Sequence, residues 1–340
     1  MYNNNIDYFK YQNNFIKNEQ VETILISGKI SPPHPKVSIL IPTYKREDLL
    51  KETIESALNQ IFFSDYNIII IDNNPERNCK TEQLIKDINT EKILYFKNSI
   101  NLGMFGNWNR GFELSKSEWT VLLHDDDIIS PYFLNTCSKF FKYNDIALIK
   151  PKFDIFSKTN QLNFLEPTVT KAHRYYLSDF IYGCSIGAPT CILYNTSKLI
   201  SSGGFDQNYF PCGDYVSSSI LAKQYKIYKL NCVLGGYRIS NNESLNEKTM
   251  NLYHYHRFYV STFIMRYFNF PSFLIYILQA SWIQRLIKAI NSLYNIKINY
   301  DYESNLHLKK VSSLVSWFVF ILIRIVMEVI DLFRPSLKAD

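Results

Sequence analysis

The sequence predicts an α/β fold built on a doubly wound, mostly parallel sheet, and three observations predict it. From Val37 onward, apolar runs of strand character alternate with segments of helical periodicity. Strands that alternate with helices in this way are typical of a parallel sheet. Two of the apolar runs end in carboxylates, at Asp72 and at Asp125, and ligands usually bind where the strands of such a sheet end.

The predicted elements follow in a regular order along the chain. The run Val37-Ser-Ile-Leu-Ile-Pro42 is rich in β-branched residues and predicts a buried strand, and the segment after it has apolar residues at helical spacing. From residue 252 the chain becomes helical, aromatic and basic, with one break at Pro271. The pattern predicts strands at 37–42, 66–72, 92–96, 119–123, 146–150, 190–194 and 225–233, and helices at 47–60, 81–88, 106–114, 132–143 and 214–223.

Length and composition bound the domain organisation. The chain has 340 residues, and 46% of them are hydrophobic, which is enough for one large domain and an appendage. Asn-rich and Pro-rich segments precede the first regular strand, and the aromatic helical pattern follows the last one. We therefore expect an N-terminal extension and linker at 1–36, a main domain at 37–245 with halves at 37–130 and 131–245, and a helical region at 246–340.

Charge and cysteine usage narrow the class of protein. The net charge of +6 comes from scattered Lys and Arg residues, which speaks against a dedicated nucleic-acid binder. The six cysteines form no Cys-x-x-Cys pair, so they give no zinc signature, and they are typical of reduced thiols in a cytosolic protein. The N-terminus lacks the basic-then-apolar pattern of a secretory signal.

Three consecutive carboxylates, Asp125, Asp126 and Asp127, follow the strand predicted at 119–123. Carboxylates crowded in this way repel one another and raise each other's pKa unless a cation lies among them. Oxygen ligands suit a hard divalent ion such as Mg²⁺ or Mn²⁺. The other interpretation is a helix N-terminus, because Asp is a good helix cap.

Two further polar clusters at predicted strand ends favour the metal interpretation. Thr43–Glu47 and Asp72 follow neighbouring strands, so in a doubly wound sheet they line one crevice with the three acids. Asp72 can accept a hydrogen bond from a base, and Arg46 with the first helix N-terminus can meet phosphate. No Gly-x-Gly-x-x-Gly or Gly-Lys-Ser/Thr loop follows the first strand, which excludes an ordinary dinucleotide-binding motif and a P-loop.

The sequence resembles the family 2 glycosyltransferases of GT-A fold, closest to bacterial enzymes of O-antigen and capsule synthesis. The resemblance covers roughly 37–241, and the order and spacing of its motifs make it specific. The motifs are Val37-Ser-Ile-Leu-Ile-Pro-Thr-Tyr-Lys-Arg46, Ile69-Ile-Ile-Asp-Asn-Asn74, Asn101-Leu-Gly103 with Asn107-Trp-Asn-Arg-Gly111, and Leu122-Leu-His-Asp-Asp-Asp127. His124 stands where the first acid of the last motif often lies.

The resemblance implies a GT-A domain with a Rossmann-like nucleotide half, an acceptor half and a C-terminal helical extension. It implies Mn²⁺ or Mg²⁺ as cofactor, with Asp126 as the direct ligand, Asp125 beside it on ribose or metal, and Asp127 as a cap of the next helix. The residues implied in nucleotide-sugar binding are Pro42, Thr43, Tyr44, Arg46, Glu47, Asp72, Asn101, Gly103, Asn109, Asp125 and Arg238.

The resemblance also implies a catalytic base. In the family an acid begins a helix after a Gly-Gly-Phe-Asp turn, and here Gly203-Gly-Phe-Asp206 leads to Asp214. A carboxylate suits the role if burial raises its pKa toward working pH. The other interpretation of Asp214 is a helix cap. Arg238 and Ser240 match a segment that closes on the diphosphate in relatives, although Arg238 could instead form a surface ion pair.

The tail at 311–333 is strongly apolar, but Arg324, Glu328 and Asp331 interrupt it at helical spacing. It predicts an amphipathic helix that lies on a membrane, or else a helix buried against the protein. The resemblance to family 2 implies an inverting glycosyltransferase that moves a hexose, commonly from a UDP-sugar, to a lipid-linked saccharide. We expect it at the cytoplasmic face of the inner membrane, bound peripherally. A nucleotidyltransferase and an inactive nucleotide-sugar-binding module are the alternatives.

Overall fold

The computed structural model describes residues 6–168, 170–239, 247–294 and 312–339. The strands are β1 (Thr23–Ser27), β2 (Val37–Thr43), β3 (Tyr66–Asp72), β4 (Ile93–Asn98), β5 (Trp119–Leu122), β6 (Ile128–Ile129), β7 (Ile146–Phe156), β8 (Thr170–Tyr175), β9 (Ile192–Asn195), β10 (Lys226–Arg238) and β11 (Ser336–Ala339). The helices are α1 (Glu47–Leu58), α2 (Lys80–Ile88), α3 (Gly103–Leu114), α4 (Phe133–Ser138), α5 (Thr196–Ser201), α6 (Gly213–Gln224), α7 (Glu247–Tyr267), α8 (Ser272–Tyr294) and α9 (Ser313–Leu332).

The strands form one sheet in the order β1-β4-β3-β2-β5-β9-β7-β10-β8-β11, with β6 paired to β10. The four strands β4, β3, β2 and β5 run parallel, as predicted for the nucleotide half. β9 runs antiparallel to both of its neighbours, β5 and β7, so the acceptor half is mixed. The predicted α/β class with a C-terminal helical extension is confirmed, and the domain boundaries stay a prediction.

Both faces of the central strands are buried, which explains their continuous apolar runs. All seven residues of β2 are buried. Leu40 belongs to the cluster that includes Phe112 of α3, whereas Ile39 and Ile41 belong to the cluster on the opposite face that includes Ile54 of α1. The alternation of side chains along a strand thus gives β2 a place in two hydrophobic cores.

The parallel register places the ends of three strands side by side. Thr43 at the end of β2 pairs with Asp72 at the end of β3, and Leu40 of β2 pairs with Leu122 of β5. Asp125 lies three residues beyond Leu122, as Thr43 lies three residues beyond Leu40. The predicted crevice therefore follows from the register of β2 with its two neighbours.

The N-terminal segment, which is predicted to be an extension at 1–36, contacts both the sheet and the acceptor half. β1 adds an antiparallel strand at the edge of β4. The backbone N and Nδ2 of Asn14 donate to the carbonyl of Gly203 at 3.1 and 3.0 Å, and Lys17 Nζ lies 2.7 Å from Asp206 Oδ1. These contacts hold the Gly-Gly-Phe-Asp turn that precedes α6.

The C-terminal region packs against the acceptor half through buried polar contacts. The guanidinium of Arg257 in α7 donates to the carbonyl of Tyr182, and Pro271 separates α7 from α8, as predicted. Arg334 pairs with Asp179 in a bidentate contact, next to the pairing of β11 with β8. Within the described ranges, no helix combines the length and the hydropathy that crossing a bilayer requires.

Candidate active site

The acidic turn lies between β5 and β6 and is nearly closed to solvent. Asp125, Asp126 and Asp127 are 6%, 5% and 0% exposed. Burial, together with the charge of Asp126, raises the pKa of Asp125 to about 6 and that of Asp127 to about 8. Burial therefore disfavours several ionised carboxylates in this turn. A bound cation would relieve their repulsion, as the sequence predicts for a cation site.

Asp125 is the acid that connects the turn to β2 and α1. Its Oδ2 accepts from Thr43 Oγ1 at 2.8 Å, and its Oδ1 accepts from Arg46 Nη1 at 3.2 Å. Arg46 Nη1 also lies 3.0 Å from Asp126 Oδ2. The predicted residues Thr43, Arg46, Asp125 and Asp126 are thus brought together, and the guanidinium of Arg46 lies on the acids.

A set of possible metal ligands is centred on Asp126. One atom each of His124, Asp126 and Asp127 lies within 4.8 Å of the others. His124 Nε2 and Asp127 Oδ2 are buried and have no hydrogen bond of ordinary length to any described residue. Two carboxylates suit Mn²⁺ or Mg²⁺, and an imidazole nitrogen is a better ligand for Mn²⁺ than for Mg²⁺. The residues present therefore fit a divalent ion. Asp126 belongs both to this set and to the pair of metal ligands predicted from the sequence, Asp125 and Asp126.

The cap predicted for Asp127 is wrong. α4 begins only at Phe133, and no side chain caps its N-terminus. Asp127 Oδ1 instead accepts from the backbone N of Arg238 at 2.8 Å. Asp127 can accept this hydrogen bond because β10, which ends at Arg238, pairs with β6 directly after the acidic turn.

Arg238 lies behind the acidic turn, where it is 5% exposed. Its Nε donates to the carbonyl of Asp126 at 2.7 Å, and its Nη2 lies 2.7 Å from Glu52 Oε2 on α1. The buried guanidinium therefore contacts the backbone of the acidic turn and also forms an ion pair with Glu52, whose side chain is 42% exposed. Ser240, the other residue of the segment predicted to close on the diphosphate, lies outside the described residues.

Asp72 lies at the end of β3 and is fully buried. Its Oδ2 accepts from Tyr95 Oη and Lys97 Nζ, both at 2.7 Å, and its Oδ1 accepts from the backbone N of Asn74 at 2.9 Å. Because the carboxylate has no exposed surface, a base could reach it only if the surrounding groups moved. The contacts are those of a residue that positions the turn after β3.

The Asn-rich segment forms the floor of the nucleotide half. Asn101 Oδ1 accepts from Asn73 Nδ2 at 2.7 Å and from the backbone N of Gly103 at 2.8 Å. Gly103 has φ +73°, a left-handed conformation that glycine adopts without strain. Asn109 instead exchanges two hydrogen bonds with the backbone of Phe205, at 2.8 and 2.9 Å. Asn109 therefore joins α3 to the Gly-Gly-Phe-Asp turn.

The remaining predicted donor residues lie at or beyond the end of β2. Pro42 is a buried residue of the strand, and Tyr44 is 44% exposed directly after it. Glu47 begins α1 and pairs with Lys80 of α2 at 3.1 Å. Of these three, Tyr44 presents the most open surface for a ring or a base to stack on.

Asp214 lies in the first turn of α6. Burial raises its pKa to about 6, although hydrogen bonds from the backbone N–H groups of Tyr215 and Asp214 itself oppose the shift. Cys184 Sγ lies 3.9 Å from Asp214 Oδ2. The helix begins after Cys212, so Asp214 is in its first turn without being its cap residue.

One segment, 184–190, connects Asp214 to the acidic turn. At one end Cys184 contacts Asp214, and at the other Thr190 Oγ1 accepts from the backbone N of His124 at 3.3 Å. Seven residues span at most about 25 Å when fully extended. This segment therefore links the candidate base to the acidic turn over at most about that distance.

Sequence reasoning missed two buried lysines that organise the site. Lys97 contacts Asp72, and Lys150 Nζ donates to the carbonyls of Ala188 at 3.0 Å and of Thr190. Burial lowers the pKa of Lys150 to about 8. Both lysines lie inside apolar strands, at positions where the alternation of side chains points inward. A lysine at such a position needs a buried partner. The presence of a lysine inside an apolar strand was therefore the signal in the sequence that could have revealed these contacts.

Comparison with known proteins agrees with this architecture. The sequence model of the family named Glycosyl transferase family 2 matches residues 38–203. Poly(ribitol-phosphate) beta-N-acetylglucosaminyltransferase TarP of Staphylococcus aureus is 28% identical over 239 residues, which are 64% of this chain and 68% of TarP. UDP-Glc:alpha-D-GlcNAc-diphosphoundecaprenol beta-1,3-glucosyltransferase WfaP of Escherichia coli is 28% identical over 214 residues, 60% of this chain and 77% of WfaP.

Among solved structures, residues 1–349 of S. aureus TarS have a similar fold. The TM-score is 0.56 at 15% identity, and the match covers 80% of this chain and 77% of that chain. The sheet with an acidic turn at the end of its central strand is the architecture of a sugar transferase of GT-A type. Residues 38–203 thus form a glycosyltransferase family 2 domain, and the protein is a glycosyltransferase.

Proposed function

We propose that the enzyme transfers a hexose, with inversion, from a nucleoside diphosphate sugar to a hydroxyl of a lipid-linked saccharide in the synthesis of a surface polysaccharide such as O-antigen or capsule. The observation that carries the proposal is the connection of Asp214 to the acidic turn through 184–190. The activity named for WfaP, which uses UDP-Glc and a diphosphoundecaprenol-linked sugar, supports a UDP-sugar and a lipid-linked acceptor.

The donor half would bind the nucleotide between the end of β2 and the Asn-rich floor. Tyr44 offers an exposed ring for the base, and Thr43 and Asp125 lie where β2 and β5 end side by side. Arg46 precedes α1, so its guanidinium and the helix N-terminus can both meet phosphate. Asp72 and Asn101 hold the loops that surround this space.

His124, Asp126 and Asp127 would hold the divalent ion, Mn²⁺ or Mg²⁺. When bound, the ion would supply Lewis-acid stabilisation of the departing nucleoside diphosphate. Arg238 donates from its Nε to the backbone carbonyl of Asp126 and from its backbone N to Oδ1 of Asp127, and so would keep these ligands in place. Such supporting contacts affect metal sites strongly, because they orient the ligands.

Asp214 would act as the general base. Its carboxylate takes the proton of the acceptor hydroxyl while that oxygen bonds to the anomeric carbon and the bond to the diphosphate oxygen breaks. The leaving nucleoside diphosphate keeps the electron pair of the broken bond. A pKa raised to about 6 by burial makes this carboxylate a better base than an exposed Asp while leaving it ionised at neutral pH.

A screen of nucleotide sugars tests the proposal. The purified chain is incubated with UDP-, GDP- and dTDP-hexoses and Mn²⁺, and the released nucleoside diphosphate is measured with and without saccharide acceptors on a polyprenyl diphosphate. We expect one nucleotide class to be hydrolysed slowly without acceptor and quickly with it. EDTA should abolish both reactions. Release of sugar 1-phosphate instead would show transfer of the nucleotidyl group and would indicate a nucleotidyltransferase.

We further propose that α9 binds the membrane surface on which such an acceptor lies. Phe318, Leu322, Ile325 and Val329 follow one another at spacings of four and three, so they share one face of the helix, and all four are exposed. Val319 packs toward the core instead. An exposed apolar stripe of this kind is typical of a helix that lies in the interface of a bilayer.

Replacing Leu322 and Ile325 together by Glu should release the protein from vesicles of phosphatidylglycerol and phosphatidylethanolamine. Two carboxylates on the apolar face oppose insertion and are repelled by anionic lipid. Flotation of the full chain with vesicles measures the bound fraction. The matched control replaces Ile24 and Leu25, which are exposed on the distant edge strand β1, by Glu and should still float. Equal flotation of both double variants would refute membrane binding through α9.

A further inference from the structure

We propose that Arg46 competes with the divalent ion for the acidic turn, so that the ion binds tightly only together with the nucleoside diphosphate. This inference rests on the proposed function and deepens it. Without ligand, the guanidinium lies on Asp125 and Asp126. When the metal and the nucleotide bind together, Arg46 leaves Asp126 and pairs with the diphosphate.

The contacts of Arg46 place its charge among the candidate metal ligands. Nη1 lies 3.2 Å from Asp125 Oδ1 and 3.0 Å from Asp126 Oδ2. Both carboxylates are nearly closed to solvent, with side chains 8% and 7% exposed, whereas the Arg46 side chain is 30% exposed. The acids are thus fixed in the protein, while the guanidinium lies at the open rim and has space to turn outward.

Charge balance gives the physical reason for the competition. An ion held by Asp126 would lie within a few ångströms of the Arg46 guanidinium, and like charges repel strongly at that distance in a poorly hydrated site. A nucleoside diphosphate brings at least two negative charges to the same place. The diphosphate can accept paired hydrogen bonds from a guanidinium, so it offers Arg46 a new partner as Asp126 turns to the ion.

The neighbouring cation, Lys45, makes a different contact and provides the control. Lys45 Nζ lies 3.3 Å from Glu76 Oε1, and both side chains are largely exposed. Replacing Lys45 or Arg46 by Gln removes one positive charge from the same loop. Only the replacement of Arg46 removes a cation that contacts Asp125 and Asp126.

Mn²⁺ binding to the full chain, followed by the electron paramagnetic resonance signal of free Mn²⁺, tests the proposal. We expect the unmodified chain to bind Mn²⁺ weakly alone, and more tightly by about fivefold or more with UDP, GDP or dTDP, the usual range of coupling between two ligands. Arg46→Gln should bind Mn²⁺ alone at least about fivefold more tightly than the unmodified chain and gain less from the nucleotide. Lys45→Gln should match the unmodified chain.

Arg46→Lys keeps the positive charge and should bind Mn²⁺ alone as weakly as the unmodified chain does. Arg46→Met removes the charge but keeps a long side chain, and it should bind Mn²⁺ alone as tightly as Arg46→Gln, which keeps the test usable if Arg46→Gln does not fold. Thermal melting gives a second measurement, because Mn²⁺ alone should stabilise Arg46→Gln more than the unmodified chain. If nucleotide promotes Mn²⁺ binding but Arg46→Gln and the unmodified chain bind Mn²⁺ alone equally, the inference is wrong and the proposed function stands. If no variant binds Mn²⁺ with any nucleotide, the metal site falls, and the inference with it.

Discussion

Replacing Asp214 by Asn is expected to abolish sugar transfer while leaving donor binding unchanged. Asparagine keeps the size of the side chain but cannot take the proton of the acceptor hydroxyl. Removing a general base typically lowers the rate by about 10²- to 10⁴-fold. The rate of transfer to a polyprenyl-linked saccharide measures the loss, and calorimetric titration with UDP and Mn²⁺ measures nucleotide binding, which should stay within error of the native enzyme.

The matched control is Asp154→Asn, because Asp154 is an exposed carboxylate on β7. It should transfer sugar at the native rate. Normal turnover of Asp214→Asn would show that another group accepts the proton. Loss of nucleotide binding in that variant would show instead that Asp214 supports the donor site.

The pH dependence of kcat/KM provides an independent signature of the same assignment. The base works as its carboxylate, and burial raises the pKa of Asp214 to about 6. The sign is therefore fixed: with Mn²⁺ and donor saturating, so that the bound cation keeps Asp125 and Asp127 ionised, the rate rises with pH up to about 6 and is level above it. The residual activity of Asp214→Asn should lack this limb. A native profile flat from pH 5 to 7 would speak against Asp214 as the base.

The parts of the fold that the sequence predicted are those governed by local periodicity. The strand predicted at 66–72 coincides with β3, and the helix predicted at 214–223 differs from α6 by one residue at each end. These elements alternate along the chain, and each buries a pattern that its own residues carry. The crevice was predictable too, because parallel strands must end at the same edge of their sheet.

The parts that the sequence did not predict depend on contacts between distant residues. Arg238 matches a nucleotide-closing segment in the sequence, but its guanidinium lies behind Asp126 because β10 extends to residue 238 and pairs with β6. Asn109 lies in the Asn-rich motif, yet it bonds to Phe205, 96 residues away. No local pattern encodes a partner at that separation.

The buried polar residues of the site are of two kinds: some are hydrogen-bonded to each other, and others have atoms without a hydrogen bond in the described part of the chain. Asp72 and Lys97 satisfy each other inside the protein, so they stabilise the loops and leave little capacity for a ligand. Asp127 Oδ2 lies 3.6 Å from His124 Nδ1, and neither it nor His124 Nε2 makes a hydrogen bond of ordinary length to any described residue. Buried polar atoms without a partner are costly, and an enzyme keeps them where a ligand supplies the missing contact.

Asp126→Asn is expected to cause a second large loss of activity, together with loss of the metal. Asp126 is the ligand common to the predicted pair and to the cluster in the structure. Stabilisation of a leaving diphosphate by a metal ion contributes several kcal/mol, which corresponds to about a thousandfold or more in rate. Transfer assays and Mn²⁺-dependent thermal shifts measure the two effects.

The stability of the Asp126→Asn protein without metal distinguishes a metal site from a structural ion pair. The charge of Asp126 contributes to the raised pKa values of Asp125 and Asp127, so its removal relieves repulsion within a buried cluster even as it weakens the contact with Arg46. We therefore expect little loss of melting temperature without Mn²⁺, and no gain when Mn²⁺ and UDP are added. Asp48→Asn, an exposed position on α1, controls for the change of charge. A native gain from Mn²⁺ in Asp126→Asn, with loss of that gain in Asp125→Asn, would move the metal to Asp125 and leave Asp126 as the partner of Arg46.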